Sequence, residues 1–175
     1  MGGEAAADMS MSQTQTQTRL QDTLLRPHHT AVCVTDFDRA LRFYTEFLPF
    51  QLEGEMDRRS EPALGDVVGL PGAIIRWAML RLGSYRVELF KYYEPQGRSD
   101  ARPQCDLGYS HFAIEVADVD AVYAQAMARG YRAMSPPRDL RGGRTRVFYL
   151  CEPEGAITEF IQFRPAENSA HTKID

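Results

Sequence analysis

The chain has no long apolar run, few cysteines and no surplus of positive charge, and each shortage removes a class of function. Nowhere in its 175 residues is there a stretch near the roughly 18 consecutive apolar residues that a membrane-spanning helix needs. No membrane partner is therefore expected. The formal net charge is -4, which leaves no basic face to follow a phosphate backbone, so nucleic acid is not an expected partner either. The three cysteines, Cys33, Cys105 and Cys151, are odd in number and lack zinc-like spacing. They argue against both a disulfide framework and a thiolate metal site, and fit a reducing, cytoplasmic setting. The start, "MGGEAAADMSMSQTQTQTRL", has no charged, apolar and small-residue succession of a secretory signal. Its Gln/Thr alternation offers almost nothing to bury, so residues 1–22 are expected to form a disordered polar leader.

What is present is a repeat. An apolar content of 43% with 25% charged residues is that of a folded, water-soluble chain. Within it "HHTAVCVTDFDRALRFY" (28–44) has a relative in "HFAIEVADVDAVYAQA", which begins at His111. Laying His29 on His111, an offset of 111 − 29 = 82, brings Ala31 onto Ala113, Val34 onto Val116, Asp36 onto Asp118 and Asp38 onto Asp120. Each copy opens with apolar alternation of period two, the mark of a half-buried strand. An Asp of each pair, Asp36 or Asp38 and Asp118 or Asp120, then caps a helix. Gly130 is placed to end the second helix.

The ends of the copies correspond over a shorter offset: Glu88 in "YRVELFKYYEP" falls on Glu159 in "AITEFIQFRP", and 159 − 88 = 71. The extra residues of the first copy fall in the Gly-, Pro- and charge-rich "MDRRSEPALGDVVGLPGA". The order of elements is βαβββ twice. The expected organisation is a first module over 23–98, a linker over 99–106, a second module over 107–165 and a tail over 166–175. Such repeats bury a shared surface.

Side-chain parity then selects four residues. In a strand, residues two apart share a face. His29 goes with Ala31 and Cys33, and His111 with Ala113 and Glu115. Glu88 goes with Phe90 and Tyr92, and Glu159 with Ile161 and Phe163. A carboxylate on an apolar strand face costs several kcal/mol if buried without a partner. His29, Glu88, His111 and Glu159 converging on one concavity would supply two nitrogens and two carboxylate oxygens, a set suited to Mn, Fe, Co, Ni or Zn and poor for calcium.

The segments "HTAVCVTDFDRALRFY", "YRVELF", "GYSHFAIEVADVDAVY" and "CEPEGAITEF" resemble the vicinal oxygen chelate superfamily of glyoxalases, bleomycin-resistance proteins and extradiol dioxygenases, over about residues 25–165. The resemblance implies an α+β fold of two βαβββ modules forming an incomplete barrel around one divalent metal ion. The ligands would be His29, Glu88, His111 and Glu159, from the first and last strand of each module. Two departures, Leu48-Pro49-Phe50 after the first helix and Glu152-Pro153-Glu154-Gly155 at the last turn, touch no ligand.

Four protein ligands leave room on a six-coordinate ion for two adjacent substrate oxygens but little for dioxygen as well. A metal-dependent isomerase, epimerase or lyase of the glyoxalase I or methylmalonyl-CoA epimerase type is therefore expected. It would move a proton next to a carbonyl while the metal stabilises an enediolate. Glu159 or Glu88 would be the base, with Glu115 behind them. Cys33, Phe90, Tyr92, Arg146, Tyr149 and Phe163 are candidates to contact a small substrate bearing adjacent oxygens. The alternatives are an Fe(II) extradiol-type ring-cleaving dioxygenase with Glu88 unligated, and a resistance-type protein that only binds. Related proteins pair their modules within one chain or across a dimer, so a homodimer is a second open possibility.

Overall fold

Asp36 and Asp118 each accept a hydrogen bond from the backbone amide three residues on, at 3.0 Å from Arg39 and 2.9 Å from Ala121, and so start the two principal helices. The computed structural model in which these contacts are seen describes residues 19–20, 23–100 and 103–164. The leader expected over 1–22 and the tail expected over 166–175 lie outside the described residues, apart from positions 19 and 20.

The first module runs β1 (Thr30–Cys33), α1 (Phe37–Arg42), β2 (Gln51–Arg59), α2 (Pro62–Val67), β3 (Ile74–Leu82) and β4 (Tyr85–Glu94). Helix α1 continues into one π-helical turn, Phe43–Phe47, closed by the Leu48 amide on the Phe43 carbonyl at 3.0 Å. The second module runs β5 (Phe112–Glu115), α3 (Val119–Ala128), β6 (Arg132–Ala133), β7 (Arg138–Leu140), β8 (Thr145–Cys151) and β9 (Ile157–Phe163). Gly130, at φ 76°, ends α3 as expected, and the Tyr131 amide returns to Ala126 at 3.1 Å.

The modules make two sheets, ordered β1-β4-β3-β2 and β5-β9-β8-β6, with β7 pairing β8. In each, the first strand lies parallel to the last, and the remaining ladders are antiparallel. The register keeps both sequence offsets: Ala31 pairs with Glu88 and Ala113 with Glu159. The extra residues of the first module form α2 and its flanking turns, and the counterpart of β2 in the second module is split into β6 and β7 around Ser135-Pro136-Pro137. Neither sheet closes on itself.

Val32, Val34, Ala78, Leu80, Val87 and Leu89 turn to the side of α1, and Phe112, Phe148, Leu150 and Phe160 to that of α3, all in one buried cluster. The π turn joins the modules. Tyr44 stacks on Phe112 with ring centres 6.4 Å apart, and Phe43 and Phe47 pack on Tyr131 at 5.3 and 4.9 Å. The helix-bearing sides thus share a core, while the faces that carry the histidines and glutamates point away from it.

Candidate metal and substrate site

His29 and His111 each stand one residue before the first strand of their module. His29 Nε2 lies 3.0 Å from Glu88 Oε2, and His111 Nε2 lies 3.2 Å from Glu159 Oε2. The pairs match in exposure too, with the glutamate side chains 13% and 14% exposed and the histidines 34% and 29%. Each histidine uses its other ring nitrogen on the residue before it: His29 Nδ1 meets His28 Nδ1 at 2.8 Å, and His111 Nδ1 meets Ser110 Oγ at 3.0 Å. A ring held through one nitrogen with the other aimed at a carboxylate has the orientation that metal-ligating histidines require.

The donor chemistry fits a divalent ion. Each pair offers an imidazole nitrogen beside a carboxylate oxygen, at 3.0 and 3.2 Å, the mixed N/O donor set that borderline divalent ions take. The two pairs are not gathered within the chain. Among the described residues no group of three or more His, Cys, Asp or Glu lies close enough to hold an ion. The expectation that the four residues share one concavity therefore meets two half-sets, one on each sheet.

Each glutamate also has an aromatic neighbour on its own sheet. The Trp77 indole N–H donates to Glu88 Oε1. Tyr149 lies directly across from Glu159 in the ladder and edge-on to the His111 ring at 5.0 Å. Burial, then the charge of Glu159 and hydrogen bonding to it, raise the Tyr149 pKa. Both glutamates are thus flanked by a histidine and an aromatic donor.

The remaining sequence candidates spread over several places. Cys33 and Tyr92 line a cavity of about 630 Å³ together with Thr35, Leu70 and Lys91 and the strap 95–99. Burial raises the Cys33 pKa, which keeps it a thiol at neutral pH. Phe90 stacks on Tyr92 at 5.9 Å, beside that cavity. Phe163 is half exposed at the end of β9, and Glu115 lines a separate cavity of about 250 Å³ with Phe47, Val122 and Phe160. Arg146 turns to the helix side instead. It makes two 2.8 Å bonds to Asp120 at the start of α3 and a 3.1 Å bond to Asp139, and these partners raise its pKa.

Sequence reasoning set His28 aside in favour of His29 and missed Ser110 and Trp77. The positions before the two histidines were adjacent in the text and could have been paired by the same offset. Trp77 had no signal, because its contact with Glu88 crosses between strands.

Residues 26–160 match the family model described as Glyoxalase/Bleomycin resistance protein/Dioxygenase superfamily. A 2-epi-5-epi-valiolone epimerase from Actinomyces is 35% identical over 144 residues, 77% of this chain and 77% of that protein. A probable chloroplastic lactoylglutathione lyase from Arabidopsis thaliana is 25% identical over 93% of this chain and 42% of that protein, so the chain spans less than half of its length. A solved glyoxalase family protein from Bacillus cereus superposes with a TM-score of 0.75 at 23% identity, covering 85% of this chain and 100% of that one, which speaks for the fold. The relatives' names support an enzyme of the isomerase or lyase kind. No helix among the described residues is long and apolar enough to cross a membrane. The chain belongs to the Glyoxalase/Bleomycin resistance protein/Dioxygenase superfamily, whose members generally bind a divalent metal.

Proposed function

We propose that the protein is a metal-dependent isomerase or epimerase that moves a proton next to a carbonyl, with His29, Glu88, His111 and Glu159 as the metal ligands. The observation that carries this reading is the pair of matching His–Glu contacts, 3.0 and 3.2 Å, at corresponding positions of the repeat. Because no described group of three ligands forms within the chain, a complete site takes His29 and Glu88 from one copy and His111 and Glu159 from a second copy. A symmetric dimer provides two such sites.

A divalent ion bound by these residues would supply Lewis-acid polarisation of a carbonyl oxygen and so a more acidic neighbouring C–H. Glu159 takes that proton. Its neighbour Tyr149 has a hydroxyl that can donate or accept, so Glu159 retains a partner in either protonation state. Glu88 is the fixed ligand, since the Trp77 indole N–H can only donate and holds Glu88 Oε1 as its acceptor. The cavity bordered by Cys33 and Tyr92 lies on the same sheet face as Glu88 and receives the rest of a small oxo substrate. The relative at 35% identity, named an epimerase of 2-epi-5-epi-valiolone, favours epimerisation over thioester formation.

The test is metal analysis of protein purified without chelator, with Glu88→Gln and His111→Ala alongside, followed by solvent deuterium incorporation into 2-epi-5-epi-valiolone and into lactoylglutathione. The reading requires bound divalent metal in the wild type, its loss in both variants, and deuterium uptake at the carbon beside the carbonyl. A wild type still metal-free after supplementation would overturn it, as would oxygen uptake with catechols and no proton exchange.

A further inference from the structure

Glu88 is held on both oxygens. Oε2 faces His29 Nε2 at 3.0 Å, and Oε1 accepts from Trp77 Nε1. Trp77 lies on β3, opposite Phe90 of β4, which places the indole diagonally across from Glu88 on the same face of the sheet. The face opposite is the core side, where Ala78 and Leu80 are buried. The far rim of the indole rests over Gly54 of β2, where an added Cβ would meet the ring at 3.5 Å. Strand β2 therefore supports the ring from behind, so the N–H has a fixed direction.

We propose that Trp77 is a positioning residue for the metal site: its indole N–H occupies Glu88 Oε1 and leaves Oε2 as the one oxygen Glu88 offers to a metal. This inference rests on the metal-site reading above. The chemistry follows from the donor. A carboxylate with both oxygens free can ligate through one or both and can swing between these modes. A carboxylate with one oxygen on a part-buried N–H of fixed direction is restricted to single-oxygen ligation in one direction. Indole has no acceptor in the ring plane, so this bond is lost if Glu88 turns its oxygens over. Outer partners of this kind typically matter to metal affinity by 10- to 100-fold.

Trp77 is also the single tryptophan of the chain, so it reports on its own site. The experiment titrates Co²⁺ into the full chain and follows tryptophan emission, the visible absorption of the bound ion and its affinity by chelator competition. Wild type is compared with Trp77→Phe, Trp77→His and Glu88→Gln. In wild type, Co²⁺ is expected to quench the emission, and Glu88→Gln is expected to abolish that response. Trp77→Phe should weaken Co²⁺ roughly 10- to 100-fold and alter its absorption bands, with the metal-free melting temperature lowered only modestly. Trp77→His keeps a ring N–H and should recover part of the loss. A wild type that binds no Co²⁺ overturns the metal-site reading and this inference together. Binding in wild type with unchanged affinity and bands in Trp77→Phe overturns this inference alone, as does a loss that Trp77→His leaves unrecovered.

Discussion

The Tyr44 hydroxyl donates to Glu152 Oε2 at 2.8 Å, and that bond ties the π turn of the first module to the last turn of the second. Tyr44 is 0% exposed, and Glu152 is buried with its other oxygen taken by the Thr158 hydroxyl at 2.7 Å. Burial pushes the Glu152 pKa from 4.5 up to about 7, against the pull of the two hydroxyls. Tyr109 and Tyr85 complete the ionisable surroundings through their charge coupling to Tyr44. A carboxyl whose folded pKa is raised contributes stability that is full below its unfolded pKa and is lost as pH rises through the folded value. Between pH 4.5 and about 7 the carboxyl ionises in the unfolded chain but stays protonated in the fold, which loses on the order of 3 kcal/mol of stability across that window. Glu152→Gln should remove that loss. Urea unfolding of both proteins at pH 5 and pH 8 checks it: the variant should gain relative to wild type on going to the higher pH, and parallel behaviour would contradict the assignment.

Glu154, two residues on, has the opposite sign. Its carboxylate accepts from the Thr35 and Asp36 amides at 3.1 and 2.9 Å and from the Thr35 hydroxyl at 2.6 Å, just ahead of α1. Burial would raise its pKa, but the amides, the hydroxyl and Arg39 at 3.7 Å hold it lowered. Its contribution is present above the unfolded pKa and is lost as pH falls through the lower folded value. Glu154→Gln should cost about 2 kcal/mol at pH 7, and the gap to wild type should narrow in acid. Thermal melts at pH 7 and below pH 4 measure this directly.

The repeat was legible because strand parity and helix capping are local. One Asp of each pair could be assigned to its helix start from spacing alone, and the ladders carry Glu88 and Glu159 at the positions the offsets required. Which Asp caps needed the structure. Asp38 and Asp120 instead bind Arg76 and Arg146, at 2.9 and 2.8 Å, a second pair related by the repeat. The split of the second module's outer strand and the π turn were not legible, since both answer to packing between modules rather than to hydrophobic period. For the same reason the sequence placed four ligands on one concavity, whereas the chain turns the two half-sets outward from a shared core.

Arg146 illustrates how a cation in a pocket-forming strand is claimed by structure. Its partners are about half exposed, so the pairs are screened by water and salt. Arg146→Met should lower stability only slightly, less still in high salt, with Co²⁺ affinity intact. Chemical denaturation at two salt concentrations, with a metal titration, tests both halves of that statement.

If Glu159 moves the proton, Glu159→Gln should slow solvent deuterium incorporation by roughly 10²- to 10⁴-fold. Tyr149→Phe should slow it by less and shift the pH profile of the rate, because it removes the partner that follows Glu159 through protonation. Metal content measured beside the exchange rate separates a lost base from a lost ligand. Equal rates in Glu159→Gln and wild type at equal metal content would assign the transfer elsewhere.

The central claim is that two half-sets from two copies make one site, and mixing two inactive variants tests it most directly. One protein carries His29→Ala with Glu88→Gln, the other His111→Ala with Glu159→Gln, and neither should hold a tightly bound divalent ion alone. In statistically mixed dimers one of the two sites of each hybrid is intact, so the mixture should bind about one ion per four chains and recover about a quarter of the wild-type exchange rate. Hybrid dimers that form but bind no metal would contradict the account.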